Sequence, residues 1–212
     1  MTERLFAIFG AGGFGRELIH PAQMMLAAQV AAGAEPRKLV FVTDEPGTPV
    51  LGIERIVPAR LGQDDDVVIA IGDGRVRRSI ADRLTAQPAM LLDPSARIGP
   101  DVAIGEGAVF CPFTHVTASA RIGRHFQCNI YSYVAHDCVI GDFVTFAPKV
   151  SCNGNVHIHD GAYIGTGAVL KQGTPDRPLV IGEGAVVGMG AVVTKDVAAG
   201  AVVVGNPARP RP

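Results

Sequence analysis

At 212 residues, with 48% hydrophobic and 18% charged residues, the chain has the make-up of a folded protein and not of a disordered one. Nineteen basic against twenty acidic residues give a net charge of -1, and no Lys/Arg run breaks that balance, which excludes the clustered positive footprint of a nucleic-acid or anionic-membrane binder. No uncharged stretch suits a spanning helix, and the first nine residues, with Glu3 at the start, lack a signal-peptide layout, so a cytoplasmic protein without membrane insertion is expected.

In chain order, Arg4 to Phe9 reads as a buried strand running into Gly10-Ala-Gly-Gly-Phe-Gly15, a G-x-G-x-x-G match in the context it requires. A helix is expected from about Phe14, kinked or interrupted by Pro21. Leu39 to Thr43 is a second strand, ending at Asp44 and Glu45. Val67 to Ile71 is a third, ending at Gly72-Asp-Gly74. Arg75 to Gln87 reads as an amphipathic helix with Val76, Ile80 and Leu84 on its buried face, and Ala89 to Leu92 as a last short strand. Strands alternating with helices predict a small parallel sheet. About ninety residues suffice for one mononucleotide-binding half, not for the pair that a dinucleotide spans, so a nucleoside diphosphate is the expected ligand. Glycines that only pack helix on strand are the competing structural explanation.

From Ile98 a different period takes over. Stepping by six gives Ile98, Ile104, Phe110, Val116, Ile122, Cys128, Val134, Ile140, Phe146, Cys152, Ile158, Ile164 and Leu170, thirteen apolar rungs in succession. At 48% hydrophobic residues chance yields this about once in ten thousand per register, so it is an internal repeat. The residue two before each rung is small or β-branched, Phe126 excepted, and glycine often follows the rung. Short strands with glycine-eased corners, three to a turn, predict stacked triangular coils. The ladder breaks at Lys171 to Pro178 and resumes at Ile181, Val187 and Val193. Cys111, Cys128, Cys138 and Cys152 have no CxxC spacing and are expected as buried thiols.

This region, from about Asp93 to Pro207, resembles the hexapeptide-repeat acyltransferases, which implies a left-handed parallel β-helix over residues 93–212, with an inserted loop near 171–180, after a Rossmann-like domain over 1–92. The stretches Val193 to Val197 and Val204 to Arg209 resemble that family's final coil and closing segment. The two halves together resemble a narrower group, the bacterial acetyltransferases of nucleotide-linked amino sugars, related to the sialic acid O-acetyltransferases. That resemblance implies acetyl-CoA as donor, no metal, a homotrimer and a nucleotide-linked sugar held by the α/β domain. By motif position it assigns Gly12, Gly13, Phe14, Asp44, Gly72 and Asp73 to the substrate side. No residue distinguishes uridine, thymidine and guanosine.

Six histidines are present, and His136, followed by Asp137, stands out by its position between the rungs Val134 and Ile140. A carboxylate on one ring nitrogen fixes the tautomer and raises the basicity of the other. The resemblance implies that His136 is the general base and Asp137 its orienting partner. It places Thr166, Gly188 and Met189 against acetyl-CoA, and also Thr145, which stands where the family has a second histidine. Lys171 and Arg177 meet coenzyme phosphates or belong to a solvated excursion. His115 and His125 read as surface residues, and His157 and His159 as outward-facing neighbours of Ile158. That pair keeps a zinc β-helix enzyme of carbonic anhydrase type open as an alternative, beside a sugar O-acetyltransferase.

Overall fold

The computed structural model describes residues 4–211. The chain begins with β1 (Leu5–Phe9), α1 (Gly13–Glu17), α2 (Ile19–Ala31), β2 (Lys38–Val42), β3 (Arg55–Ile56), β4 (Asp66–Ile69), α3 (Gly74–Ala81) and β5 (Gln87–Pro88). The strands form one parallel sheet in the order β3-β2-β1-β4-β5. Alternation along β1 serves two cores: Phe6 and Ile8 pack with Leu18, Met25 and Leu26 of the α1–α2 layer, and Ala7 and Phe9 with Ile80 on the α3 side.

The helix expected from Phe14 is interrupted at Leu18, before Pro21, which occupies the first turn of α2. A proline there forfeits no intrahelical bond, because the first N–H groups of a helix have no acceptor. β3 and β5, two residues each, are additions to the expected sheet. Of the strand expected over 89–92 only Leu91–Leu92 forms, and it pairs with Val109–Phe110 as the first rung of the second unit, whereas β5, just before it, closes the α/β sheet. α3 ends at Ala81, short of Gln87, and its burial differs too. Val76 is exposed, and Arg77 takes the buried position at 1% exposure.

From Leu91 the chain winds as a parallel β-helix with three flat faces. The first face starts with Leu91–Leu92, the second with Arg97–Ile98 and the third with Ala103–Ile104, and each strand pairs with one 18 residues further on until the 171–178 insertion. The apolar rungs and their small partners fill a continuous core from Ala96 to Val203. Phe126, the large residue at a small position, is accommodated by edge-on contacts to Phe110 and Phe146 at 5.8 and 5.0 Å. The four cysteines are buried free thiols. Among the described residues no helix is long and apolar enough to cross a membrane.

The α/β unit lies on the first face, and a polar seam fixes it there. Gln127 Nε2 donates to the Ile69 carbonyl at 2.7 Å. Arg77 donates to the carbonyls of Ile71 (2.6 Å), His125 (3.0 Å) and Phe143 (2.8 Å), and to Thr145 Oγ1 (3.0 Å). Burial lowers its pKa to about 9, partly offset by Asp73, so it remains cationic at neutral pH. His125, expected at the surface, is 4% exposed and stacks on Phe143 at 4.9 Å, with its Nδ1 lacking a partner. Its carbonyl is an Arg77 acceptor, so the corner that carries it is closed over by α3.

Candidate active site

The carboxyl ends of β1 and β4 flank the point where strand order reverses, the usual ligand crevice of an open parallel sheet. Gly10 has φ +104°, which favours glycine, and a Cβ on Gly15 would overlap the Gly10 carbonyl, so these two glycines serve the turn and helix–strand packing. Gly12 and Gly13 differ: nothing lies within 4 Å of the position a Cβ would take, and their backbone faces open space. Phe14 is half-buried against the α2-side core. Gly72 and Asp73 follow β4, and Asp73 caps α3 by accepting from the Arg75 and Val76 amides at 2.8 and 3.1 Å. Asp44, beyond β2, is paired with Arg83 at 2.7 Å. A cavity of about 700 Å³ opens beside Gly72 and Asp73, bounded by Arg75 and Arg78 and, on the β-helix, by Asp160, Tyr163 and Glu183.

His136 stands on the edge between the second and third faces, between Tyr133–Val134 and Val139–Ile140. Its Nδ1 meets Asp137 Oδ2 at 2.7 Å, and both side chains are about half exposed. With Nδ1–H donating to the carboxylate, Nε2 is left as an acceptor toward solvent. The turn that presents the pair places Asp137 at φ +58°. On the next coil, Gly154 lies beneath the ring: a Cβ there would overlap Cε1 and Nε2 of His136. Asn153 holds this coil in place by donating to the Leu170 carbonyl at 2.7 Å and accepting from Tyr133 Oη at 2.9 Å. Gly154 and Asn153 escaped sequence reasoning, because a cradle glycine in a glycine-rich repeat has no distinguishing pattern.

Thr166, Gly188 and Met189 lie on the edge between the first and second faces, one edge away from His136, with Met189 81% exposed. Thr145 is elsewhere. It is 3% exposed in the interdomain seam, where its hydroxyl donates to the Gly72 carbonyl at 2.8 Å and accepts from Arg77. The expectation of a cofactor contact is therefore corrected: the hydroxyl has no free side, and it positions the Gly72 loop. His157 is half-buried and His159 exposed, and among the described residues no group of three or more His, Cys, Asp or Glu could hold a metal ion.

A switch-point crevice in a small α/β domain, joined to a β-helix that carries an exposed His–carboxylate pair, is the architecture expected of an acyltransferase of nucleotide-linked sugars. Residues 6–84 match the PglD N-terminal domain family. The chain is 44% identical to a GDP-perosamine N-acetyltransferase of Escherichia coli O157:H7, over 97% of this chain and 95% of the relative. Among solved structures, WeeI from Acinetobacter baumannii AYE superposes with a TM-score of 0.89 at 47% identity, covering 98% of this chain and all of that one. The acetyltransferase domain of PglB from Neisseria gonorrhoeae FA1090, in complex with acetyl coenzyme A, superposes with 0.84 at 30% identity, covering 99% of this chain and all of that one. The chain belongs to the hexapeptide-repeat nucleotide-sugar acetyltransferases.

Proposed function

We propose that this protein transfers the acetyl group of acetyl-CoA to the amine of a GDP-linked 4-amino-4,6-dideoxyhexose in the cytoplasm. Identity of 44% along nearly the whole chain to a GDP-perosamine enzyme supports the guanosine nucleotide and the amino sugar. Gly12, Gly13, Phe14, Asp44, Gly72 and Asp73 form the sugar-nucleotide side in this reading, and Thr166, Gly188 and Met189 the acetyl-CoA side. His136 is the general base and Asp137 its orienting partner. Nε2 of His136 takes a proton from the attacking amine as nitrogen bonds to the thioester carbonyl. Collapse of the tetrahedral intermediate breaks the carbon–sulfur bond. The thiolate leaves with the proton that the imidazolium returns, so the products are an amide and free coenzyme A.

The observation that carries this reading is the separation of the two half-sites within one chain. The α/β unit covers the first face, and His136 stands on the edge opposite that face. A homotrimer packed around the second face resolves this, because a threefold axis there sets the His136 edge of each protomer against the Thr166–Met189 edge of the next. Each active site then combines the base of one protomer with the sugar-nucleotide domain of its neighbour.

Complementation tests the arrangement. His136→Ala removes the base, and Gly13→Val puts a side chain into the open space where the diphosphate would approach, at a position whose Cβ would meet nothing within 4 Å. His136→Ala alone should release thiol from acetyl-CoA at a rate about 10²–10⁴-fold lower, and Gly13→Val alone should be slow at sub-saturating sugar nucleotide. Trimers assembled from an equal mixture should regain about a quarter of wild-type activity, because one site in four pairs two intact halves. A mixture as inactive as its components would place the whole site within one chain and refute the arrangement.

A further inference from the structure

The edge between the first and second faces carries two aromatic rings left open to solvent. Phe113 and Tyr131, 59% and 53% exposed, stack one coil apart with ring centroids at 5.1 Å and planes 7° apart. Ile130 beside them is 37% exposed. Both rings stand on corner residues with φ +60°, a left-handed backbone that costs a residue with a side chain and that glycine adopts freely. Two coils beyond Tyr131 the same corner is Gly167, at φ +70°, so the fold admits glycine there. Two aromatic rings held in that conformation, stacked and in water, have no stabilising counterpart in a lone chain. Rigid aromatic anchors of this kind are what protein interfaces bury.

Register names the occupant. Phe113, Tyr131 and Lys149 form one column, 18 residues apart and all at φ +60°. Ser119, Asp137 and Asn155 form a second column on the edge that carries His136, also at positive φ and each six residues after its counterpart. Six residues are a third of a coil, an offset of about 1.6 Å along the axis at the usual strand spacing. The threefold arrangement proposed above keeps these heights and sets the first column of one protomer against the second column of the next. Tyr131 then stands within that offset of Asp137, and the exposed Lys149 brings positive charge toward the carboxylate from one coil above. Asp137 has an oxygen to offer: Oδ2 is taken by His136 Nδ1 at 2.7 Å, whereas Oδ1 has no hydrogen-bond partner among the described residues. We propose that Tyr131 of one protomer completes the His136–Asp137 pair of the next, as a positioning residue whose phenol hydroxyl donates to Asp137 Oδ1. With both carboxylate oxygens held, the imidazole keeps one orientation. The stacked rings also shield the pair from water, where an exposed ion pair is weak. The inference rests on the trimer of the proposed function.

Tyr131→Phe keeps the ring and its stack and removes only the hydroxyl. The trimer by light scattering and both KM values should match wild type. In contrast, kcat for thiol release should fall roughly tenfold, the size of one hydrogen bond to a charged group. Mixed trimers show which chain the tyrosine serves. Mixed equally with His136→Ala, Tyr131→Phe should reach about a quarter of wild-type activity, because one site in four joins the intact histidine of one chain to the intact tyrosine of the other. Mixed with Gly13→Val, at sub-saturating sugar nucleotide, it should reach only about a twentieth, because Tyr131 and Gly13 then belong to the same half-site. A tyrosine serving the histidine of its own chain reverses the two mixtures and overturns the proposal. So does an unchanged kcat, a loss confined to KM, or a monomer in light scattering, which leaves the stack to a different partner. If His136→Ala and Gly13→Val fail to complement each other, the threefold arrangement falls and this inference with it. If they complement and only the tyrosine mixtures reverse, this inference falls alone.

Discussion

Replacing Thr145 by valine separates two roles for one hydroxyl. The substitution keeps the β-branched shape on a buried strand and removes only the oxygen. Lost with it are the 2.8 Å bond to the Gly72 carbonyl and the 3.0 Å bond from Arg77. The first is a neutral contact worth about 0.5–1.5 kcal/mol, and the second a charge-assisted one worth about 1.5–3 kcal/mol. Gly72 keeps a longer bond from Arg77 at 3.3 Å, and the guanidinium keeps its three closest carbonyls. The net loss should therefore fall near the lower half of the sum, about 2–3 kcal/mol. For a chain of this size that lowers Tm by roughly 4–12 °C. Urea denaturation gives the free energy, and steady-state kinetics gives the functional consequence. Because the Gly72 loop is freed, KM for the sugar nucleotide should rise and KM for acetyl-CoA stay constant. Unchanged stability with a raised KM for acetyl-CoA would refute the seam role and restore Thr145 to the cofactor.

Gly154→Ala should displace the His136 imidazole, since the new methyl overlaps the ring; kcat is expected to fall roughly 10–100-fold, as for a misplaced catalytic group, with Tm held, and a wild-type kcat would show that the ring has no need of this cradle. Acidification should weaken the seam through His125, whose pKa is lowered to about 4 by burial and by the charges of Arg77 and Arg124. The native state keeps it neutral while the unfolded chain protonates it near 6.5, so its contribution is complete above about pH 6.5 and is lost as pH falls toward 4, about 3 kcal/mol in all. His125→Phe keeps the stack on Phe143 and should flatten that slope in urea melts between pH 7 and 4; an unaltered slope would assign the acid sensitivity to other groups.

The β-helix was legible because each coil repeats one local demand, an apolar rung with a small residue two before it, and that demand leaves a six-residue signature in the chain. His136 and Asp137 were legible as neighbours in sequence, which geometry preserves at 2.7 Å. Arg77 was not. Its closest partners are main-chain carbonyls, two of them at positions 48 and 66 residues away, and a carbonyl is present at every residue and marks none. The helical pattern also favoured Val76 for burial, because periodicity cannot register a second domain lying on the other side. Thr145 and His125 were misjudged for the same reason: both gain their surroundings from the docking of the α/β unit. The glycine motif divided, with Gly10 and Gly15 bound to packing and Gly12 and Gly13 left open, a difference set by backbone positions that the letter G does not record.

Stacking at a fixed interval turns the β-helix into a ruler. The distance from His136 to the 171–178 loop is a whole number of coils, and one coil is 18 residues where the repeat is regular. A chain with one coil more or fewer between these points would set them about 4.8 Å further apart or closer together, with the surroundings of the histidine unchanged. Loops such as 171–178 leave the prism at its edges, where the ladder hydrogen bonds are interrupted, so their length and charge can change without disturbing the rungs behind them. In such a scaffold, reach is written in units of strand spacing.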